Sequence, residues 1–445
     1  MSLSEYKLTS IKELGHFDVC VIGGGVTGVF AAIKAAAFGA RTAIVEKGNC
    51  FGGVACAGLV NVWHTLYDID YQNQIIAGLT QQAEERLQKR DAAILENTFS
   101  SDIRFDPNIL KCILDEMVME HKIKIFFHTS YAKIICDDHT LKYALVSNKD
   151  GLCAIRADFF IDATGDGDIM RDLDIESYKH GHMQPPTSCF FMHGKNNLPL
   201  AQLIHDHGEE FGLDDDWGWS SQIPGFENLT MRADYHIFDV DCSKADDLTR
   251  AEIEGRRKAD AFVSMLRKYD NPKCRIAATC SQIGIRETNH YKTDFYATEK
   301  DILLGTQYED VVMKGTYRVD IHHSFEHAIT FKYLDGHYET IYGKGGKRTR
   351  GDWRKEMNLT GDYAKYYQVP FRILVQQKYP NLIPAGRMIH ADEGAFGALR
   401  VMVNLNQLGE AAGVAAAMCL DSNKAVWEID GREVRKKLIQ TGSAL

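Results

Sequence analysis

The stretch FDVCVIGGGVTGVFAAIKAAAFGARTAIVEK, Phe17 to Lys47, decides how the chain is read. Val19 to Ile22 is a short apolar run of the kind that forms a fully buried strand. Val26 to Phe38 carries helix formers up to a stop at Gly39, and a second strand then ends at the acidic Glu46. This is one βαβ unit of a parallel sheet. Gly23, Gly25 and Gly28 form G-x-G-x-x-G between strand and helix. In that pattern Gly23 makes the tight turn, Gly25 lets the backbone approach a pyrophosphate, and Gly28 permits close packing of helix on strand. The helix start at Val26 and Thr27 offers free N–H groups and a positive dipole end to phosphates. Glu46, 18 residues after Gly28, stands where a carboxylate would accept hydrogen bonds from ribose hydroxyls. A dinucleotide-binding fold is expected.

The rest of the chain bounds that reading. Its 445 residues exceed what one hydrophobic core usually organises. A hydrophobic fraction of 45% and a charged fraction of 25% match ordinary globular usage. The net charge of −10 argues against a broad nucleic-acid or anionic-membrane surface. No run approaches the ~18 apolar residues of a membrane span, and the opening MSLSEYKLTSIKELG lacks the order of a signal peptide. A cytoplasmic protein is expected. The 11 cysteines are scattered without any C-x-x-C, so reduced, mostly structural thiols are expected.

Farther on, DPNILKCILDEMVMEHK reads as a helix with Asp106 as N-cap and Pro107 in its first position. YAKIICDD, TLKYALVSN and LCAIRADFFIDATG read as a three-stranded antiparallel meander returning to the parallel sheet. From about Met170 aromatic, histidine and charged residues interleave and the βαβ pattern does not recur. Apolar strand and helix return at LIPAGRMI and VNLNQLGEAAGVAAAMCL. The expected architecture is α/β: a Rossmann-like nucleotide-binding domain, parallel sheet plus β-meander, in two parts (17–170 and 362–445), interrupted by a mixed α+β substrate or cap domain (171–361).

The run FFIDATGDGDI ends a strand in Ala163, Thr164, Gly165 and Asp166. It resembles the second fingerprint of FAD proteins of the glutathione reductase and succinate dehydrogenase type. CSQIGIRETNHYKTDFYATEKDILLG, YRVDIH and NLIPAGRMIHADEGAFGALRVMVNLNQLGEAAGVAAAMCL resemble the FAD-dependent oxidoreductases that include relatives of the heterodisulfide reductase flavin subunit. The similarity runs from Phe17 nearly to the end. It implies that FAD is the cofactor, with Gly23, Gly25, Gly28, Glu46 and Lys47 on its ADP half. Gly52 and Gly53 would line the phosphates and ribityl chain, and the backbone of Ala132 would touch adenine. Gly165 and Asp166 would close the nucleotide end, and Gly386, Arg387 and Arg400 would face the flavin, with a helix starting near Leu399. Two departures stand out: Asn289, His290 and Tyr291 follow the RET motif where many members carry further arginine, and Ala-Gly-Arg replaces Gly-Asp at the ribityl contact.

Catalytic candidates follow from chemistry. Arg286 can hold a substrate carboxylate with its guanidinium fork, or pair with Glu287 as a structural bridge. His322, His64 and His390 are candidates for proton transfer, or for packing. Cys56, near the start of a helix, could carry a thiolate beside the flavin. Cys50 precedes Gly52-Gly53 and five residues separate it from Cys56, the wrong order for the dithiol of disulfide reductases. The basic stretch YGKGGKRTRGDWRK, Tyr342 to Lys355, reads as a solvated loop or an anion-attracting patch. HADE at His390 has no metal-ligand pattern, and no metal is expected. With no second G-x-G-x-x-G, a separate nicotinamide-binding domain is not expected. The expected activity is hydride transfer between the flavin N5 and a small, carboxylated organic substrate, with an unidentified electron partner, and no nucleic-acid or membrane partner. Two alternatives stay open: thiol–disulfide chemistry at Cys56, and a structural or regulatory flavin in a protein-binding protein.

Overall fold

A computed structural model of the protein describes residues 11–96, 103–214, 218–325, 327–343 and 346–445. The Phe17–Lys47 reading is realised as strand β1 (Lys12–Ile22), helix α1 (Val26–Ala37) and strand β2 (Thr42–Val45). Val19 to Ile22 are at most 2% exposed, as a strand covered on both faces requires. Phe38 caps α1 and Gly39 turns away at φ +98°, a conformation that glycine adopts without a Cβ penalty.

The seven-stranded central sheet runs Lys124–Phe126, β2, β1, Gly151–Asp162, Thr140–Asn148 and Ser130–Asp137, with Leu382–Pro384 also paired to Gly151–Asp162. β1, β2, Lys124–Phe126, Gly151–Asp162 and Leu382–Pro384 are parallel along their shared edges. The meander 130–162 is antiparallel, as expected. Ile22 pairs with Val45 and with Asp162, and Asp162 with Pro384. The carboxyl ends of four parallel strands therefore finish side by side, where open α/β sheets place their ligands. The Pro107–Glu120 helix begins as read, with the Asp106 carboxylate accepting the Asn108 N–H at 2.8 Å.

The Met402–Ser422 helix lies directly on α1. A Cβ at Gly409 would stand 2.2 Å from the Thr27 carbonyl oxygen, and one at Gly413 2.2 Å from that of Ala31. Only glycine lets the two backbones approach this closely. Between the two parts of the central sheet lie two four-stranded antiparallel sheets. One consists of Phe190–His193, Trp219–Gln222, Leu229–Ala233 and Arg275–Thr279, covered by the Ala245–Tyr269 helix through Phe262, Met265 and Leu266. The other is the meander Val319–His323, Ala328–Lys332, His337–Tyr342 and Arg348–Asp352. The short helix Glu393–Leu399 seats this meander: a Cβ at Gly397 would fall 2.7 Å from the Asp320 carbonyl oxygen. Among the described residues no helix is long and apolar enough to cross a membrane.

Candidate active site

A cavity of about 1000 Å³ extends from the carboxyl edge of the parallel sheet to the inner faces of the two antiparallel sheets. At its sheet end it is walled by the glycine turn, Glu46, Gly52 and Gly53, and the Ala163–Asp166 turn. The three motif glycines have different reasons to be glycine. A Cβ at Gly23 (φ +110°) would lie 2.2 Å from the Ala163 carbonyl oxygen, and one at Gly28 1.9 Å from that of Gly23. At Gly25 a Cβ would meet no protein atom within 4 Å. Gly25 thus opens onto space a ligand can fill. It is also the N-cap of α1, and no side chain caps that helix, so its first-turn N–H groups are offered to an anion.

Each Glu46 carboxylate oxygen accepts one backbone N–H, from Gly24 at 2.7 Å and from Gly48 at 2.6 Å. A carboxylate has about four lone-pair sites, so both oxygens keep one for ribose hydroxyls. The 48–53 loop lies along the glycine turn through a Gly25–Gly52 bridge and the bond from Gly52 N–H to the Gly24 carbonyl at 2.8 Å. Val26, Thr27 and Lys47 complete this end of the wall.

One expectation at this end is corrected, at Cys56. Ala132 sits at a bulge between Tyr131 and Lys133 with its side chain toward solvent; the neighbouring Tyr131 lines the cavity, its hydroxyl donating to Asp172 at 2.6 Å. The bulge inserts one extra residue and reverses which side chain faces inward. Cys56 does not line the cavity. It lies under the loop, where a Gly52 Cβ would be 2.3 Å from its sulfur, and burial raises its thiol far above the usual range. Of Cys50 and Cys56, Cys50 is on the cavity wall, which Cys189 also lines, and neither of the two forms a disulfide.

The Ala163–Asp166 turn is held from below by Asp162, which sequence reasoning passed over. Its fully buried carboxylate accepts from Thr164 Oγ1 (2.7 Å) and from the N–H groups of Ile169 (2.9 Å) and Met170 (3.1 Å), and burial pushes it up to about 6. Above it Asp166 pairs with Arg387 and accepts from Thr288 Oγ1 at 2.9 Å. Gly386, Arg387 and Arg400 all line the cavity. The long C-terminal helix begins at Met402, three residues later than expected, leaving Arg400 in the turn before it.

The opposite end is cationic. Among the described residues Arg286 donates to two neutral acceptors, the Pro185 carbonyl (2.7 Å) and Thr187 Oγ1 (2.6 Å). Burial, then the nearby Arg400, lowers its pKa to about 10. The expected alternative bridge to Glu287 is not formed, because Glu287 turns away to His180 and His290. Arg318, which sequence reasoning did not single out, lies with its guanidinium carbon 4.0 Å from the Phe331 ring centre and 5.2 Å from that of Tyr317. Its buried Nε has no hydrogen-bond partner among the described residues. Only YRVDIH hinted at it, as a basic residue amid strand formers.

One buried acid answers these arginines. Asp320 accepts from the Tyr317 hydroxyl (2.5 Å) and Arg400 (3.2 Å), and His322 Nε2 lies 3.1 Å from its other oxygen. Burial alone would raise its carboxyl, but the hydrogen bond from His322 and the charge of Arg400 hold it well below the usual range. His322 Nδ1 meets His236 Nε2 at 2.7 Å, and burial followed by the Arg286 charge keeps His322 neutral. His64 also lines the cavity, its ring stacked 3.9 Å from that of Tyr317. His390 does not line it; its Nδ1 faces the Thr293 backbone. In the basic stretch 342–355, whose residues 344–345 lie outside the described set, the described residues stay off the cavity, and Arg348 and Arg350 both pair with Glu339.

Comparison with known proteins shows the family. The family model described as FAD dependent oxidoreductase matches residues 18–438. Mitochondrial dihydrolipoyl dehydrogenase of Schizosaccharomyces pombe is 30% identical over 105 residues, 21% of this chain and 20% of that protein. The chain thus matches about a fifth of the length of that curated relative. Similar solved structures include a geranylgeranyl bacteriochlorophyll reductase-like protein from Thermoplasma acidophilum, at 12% identity over 96% of this chain and 83% of that one with a TM-score of 0.48. The flavin-dependent brominase Bmp2 is 12% identical over 95% and 83%, with a TM-score of 0.46.

Proposed function

The chain belongs to the FAD-dependent oxidoreductase family, and from that premise we propose that it oxidises or reduces a small carboxylated substrate, FAD when bound supplying hydride transfer at its N5. The residues present suit FAD. Gly25 opens onto ligand space beside the uncapped start of α1, and Glu46 keeps lone pairs for ribose hydroxyls. Gly23, Gly28, Lys47, Gly52 and Gly53 complete the ADP cradle in this reading. Gly165, Asp166, Gly386, Arg387 and Arg400 stand along the remaining length of the cofactor, and the segment 171–361 caps the substrate.

The observation that carries the substrate class is Arg318. A guanidinium on the cavity wall, between Phe331 and Tyr317, with its Nε unbonded among the described residues and Asp320 and Glu339 acting on it only through space, suits a ligand that brings its own carboxylate. Arg286, spending its bonds on neutral acceptors, adds a second positive charge. Tyr317 on the cavity wall heads a continuous polar chain, Tyr317 Oη to Asp320, Asp320 to His322 and His322 to His236, which orients the phenol hydroxyl toward the carboxylate.

The test is anaerobic mixing of the oxidised and reduced holoprotein with matched carboxylic acids, their methyl esters and dithiols, following the flavin absorbance. An acid is expected to change the flavin redox state where its ester does not, and Arg318→Gln to raise the half-saturating concentration at least ~10-fold with FAD retained, the loss of one charge-assisted contact. A dithiol acting in place of the acids would favour thiol–disulfide chemistry. No response to any compound would favour a structural or regulatory flavin.

A further inference from the structure

Outside the cavity wall, His180, Glu287 and His290 bring one ligand atom each to within 4.8 Å of one another. Their assembly is tertiary: 107 residues separate His180 from Glu287, and the short antiparallel pairing of Ser177–Tyr178 with His290–Tyr291 joins them. His180 Nδ1 lies 2.6 Å and His290 Nε2 3.0 Å from the same oxygen, Glu287 Oε1. The far nitrogen of each ring faces a backbone carbonyl: His180 Nε2 that of Ala391 at 3.0 Å, and His290 Nδ1 that of Ile389 at 2.8 Å.

The hydrogen inventory forces a choice. A carbonyl oxygen only accepts, so both far nitrogens carry hydrogen. In a neutral imidazole the near nitrogen then presents a lone pair, and both lone pairs point at a carboxylate oxygen that also only accepts. Either both rings are charged imidazoliums, their centres 4.4 Å apart, or one cation sits among the three atoms. A dication in place of two protons leaves the net charge unchanged and moves it from two adjacent like-charged rings to the point where all three donors converge. Carbonyl-held far nitrogens are also the usual outer shell of metal-bound histidine. The second carboxylate oxygen is occupied by the Gln184 N–H at 2.8 Å, which sets the orientation of Glu287. The Glu287 and His290 side chains are fully buried and that of His180 is 10% exposed.

We propose that His180, Glu287 and His290 form a structural site for a divalent transition metal ion with imidazole affinity, such as zinc. Binding displaces two protons, one from each near nitrogen, and forms two metal–nitrogen bonds and one metal–oxygen bond. The site ties the chain around 177–184 and 287–291 to the 389–391 backbone, just before the Glu393–Leu399 helix that seats Asp320 and leads to Arg400. The sequence offered little sign of it: Glu287 and His290 stand three residues apart but on an extended segment instead of a helix, and His180 lies far from both.

The test uses Zn²⁺ alone. Wild-type holoprotein, Glu287→Gln and His180→Gln are stripped with chelator, exposed to Zn²⁺, desalted, and measured for zinc content, thermal unfolding and flavin absorbance. Wild type is expected to retain about one equivalent, to melt higher with zinc than without, and to bind more tightly as pH rises because protons are released. Either variant is expected to lose more than ~100-fold in affinity, beyond what loss of an outer-shell partner does. Equal zinc retention by wild type and a folded variant would overturn the proposal. Should both variants fail to fold, anomalous scattering at the zinc edge from wild-type crystals decides: a peak among the three side chains supports the site, and none there rejects it.

Discussion

The carbonyl oxygen of Gly23 lies 1.9 Å from where a Cβ on Gly28 would stand, so the ends of the glycine turn are packed against each other while Gly25 between them faces open space.

Substitution should separate these two duties. Gly28→Ala must push the turn apart and is expected to cost at least about 1–3 kcal/mol, as overpacking does, seen in urea unfolding of apoprotein. Gly25→Ala is expected to leave apoprotein stability nearly unchanged yet weaken FAD binding by at least ~10-fold, because its methyl group enters the space where a pyrophosphate approaches backbone. Equal FAD affinity in Gly25→Ala and wild type would place the dinucleotide elsewhere.

Lys34 on α1 and Glu410 on the Met402–Ser422 helix form a buried ion pair at 3.0 Å, their side chains 4% and 1% exposed. Lys34→Met leaves the carboxylate without its cation and is expected to cost about 3–5 kcal/mol, and the double variant Lys34→Met, Glu410→Leu less than the single. Burial outweighs the pull of Lys34 and raises the Glu410 carboxyl above its ordinary value. A carboxyl raised in the folded state binds its proton more tightly there, so stability declines as pH rises past the unfolded value. The deficit of Lys34→Met should therefore grow between about pH 5 and pH 8, as urea midpoints at the two values would show.

His322 gives the opposite slope. Burial and then Arg286 keep it neutral in the fold, whereas the unfolded chain takes up its proton near pH ~6.5. Acidification therefore stabilises the unfolded state, by up to about 1.4 kcal/mol per pH unit below that point. His322→Gln should flatten this decline between about pH 6.5 and pH 5.5 relative to wild type, measured by chemical denaturation. Parallel curves for the two proteins would show that His322 is already charged in the fold.

Thiol labelling should sort three cysteines by position. Cys112 is exposed, Cys50 is half-buried on the cavity wall, and Cys56 is 1% exposed beneath the loop. Iodoacetamide followed by peptide mass spectrometry is expected to modify Cys112 with or without FAD, Cys50 faster in apoprotein, and Cys56 in neither. Rapid modification of Cys56 would restore it as a reactive group.

The nucleotide half of the site was legible because its signals are local. Turn, helix and acid lie within Gly23 to Glu46, and the second turn within Asp162 to Asp168, so steric limits at glycine and the periodicity of strand and helix speak through adjacent residues. The misses were also physical. A bulge brought the Tyr131 side chain to the cavity wall, which no local pattern announced, and the tight loop over Gly52 drew Cys56 into the core.

By itself the sequence determined the βαβ unit, the meander, the returning strand and the class of cofactor, because each follows from backbone sterics and hydrophobic pattern over a few dozen residues. Tertiary structure alone decided the partners. It turned Glu287 from Arg286 to two histidines, left the Arg318 Nε without a hydrogen-bond partner among the described residues, and set Arg400 against Asp320. These outcomes depend on which distant segments meet, and on the desolvation and charge balance created where they do. A buried charge takes whatever partner the packed chain brings within a few ångströms, and spacing along the sequence does not encode that distance.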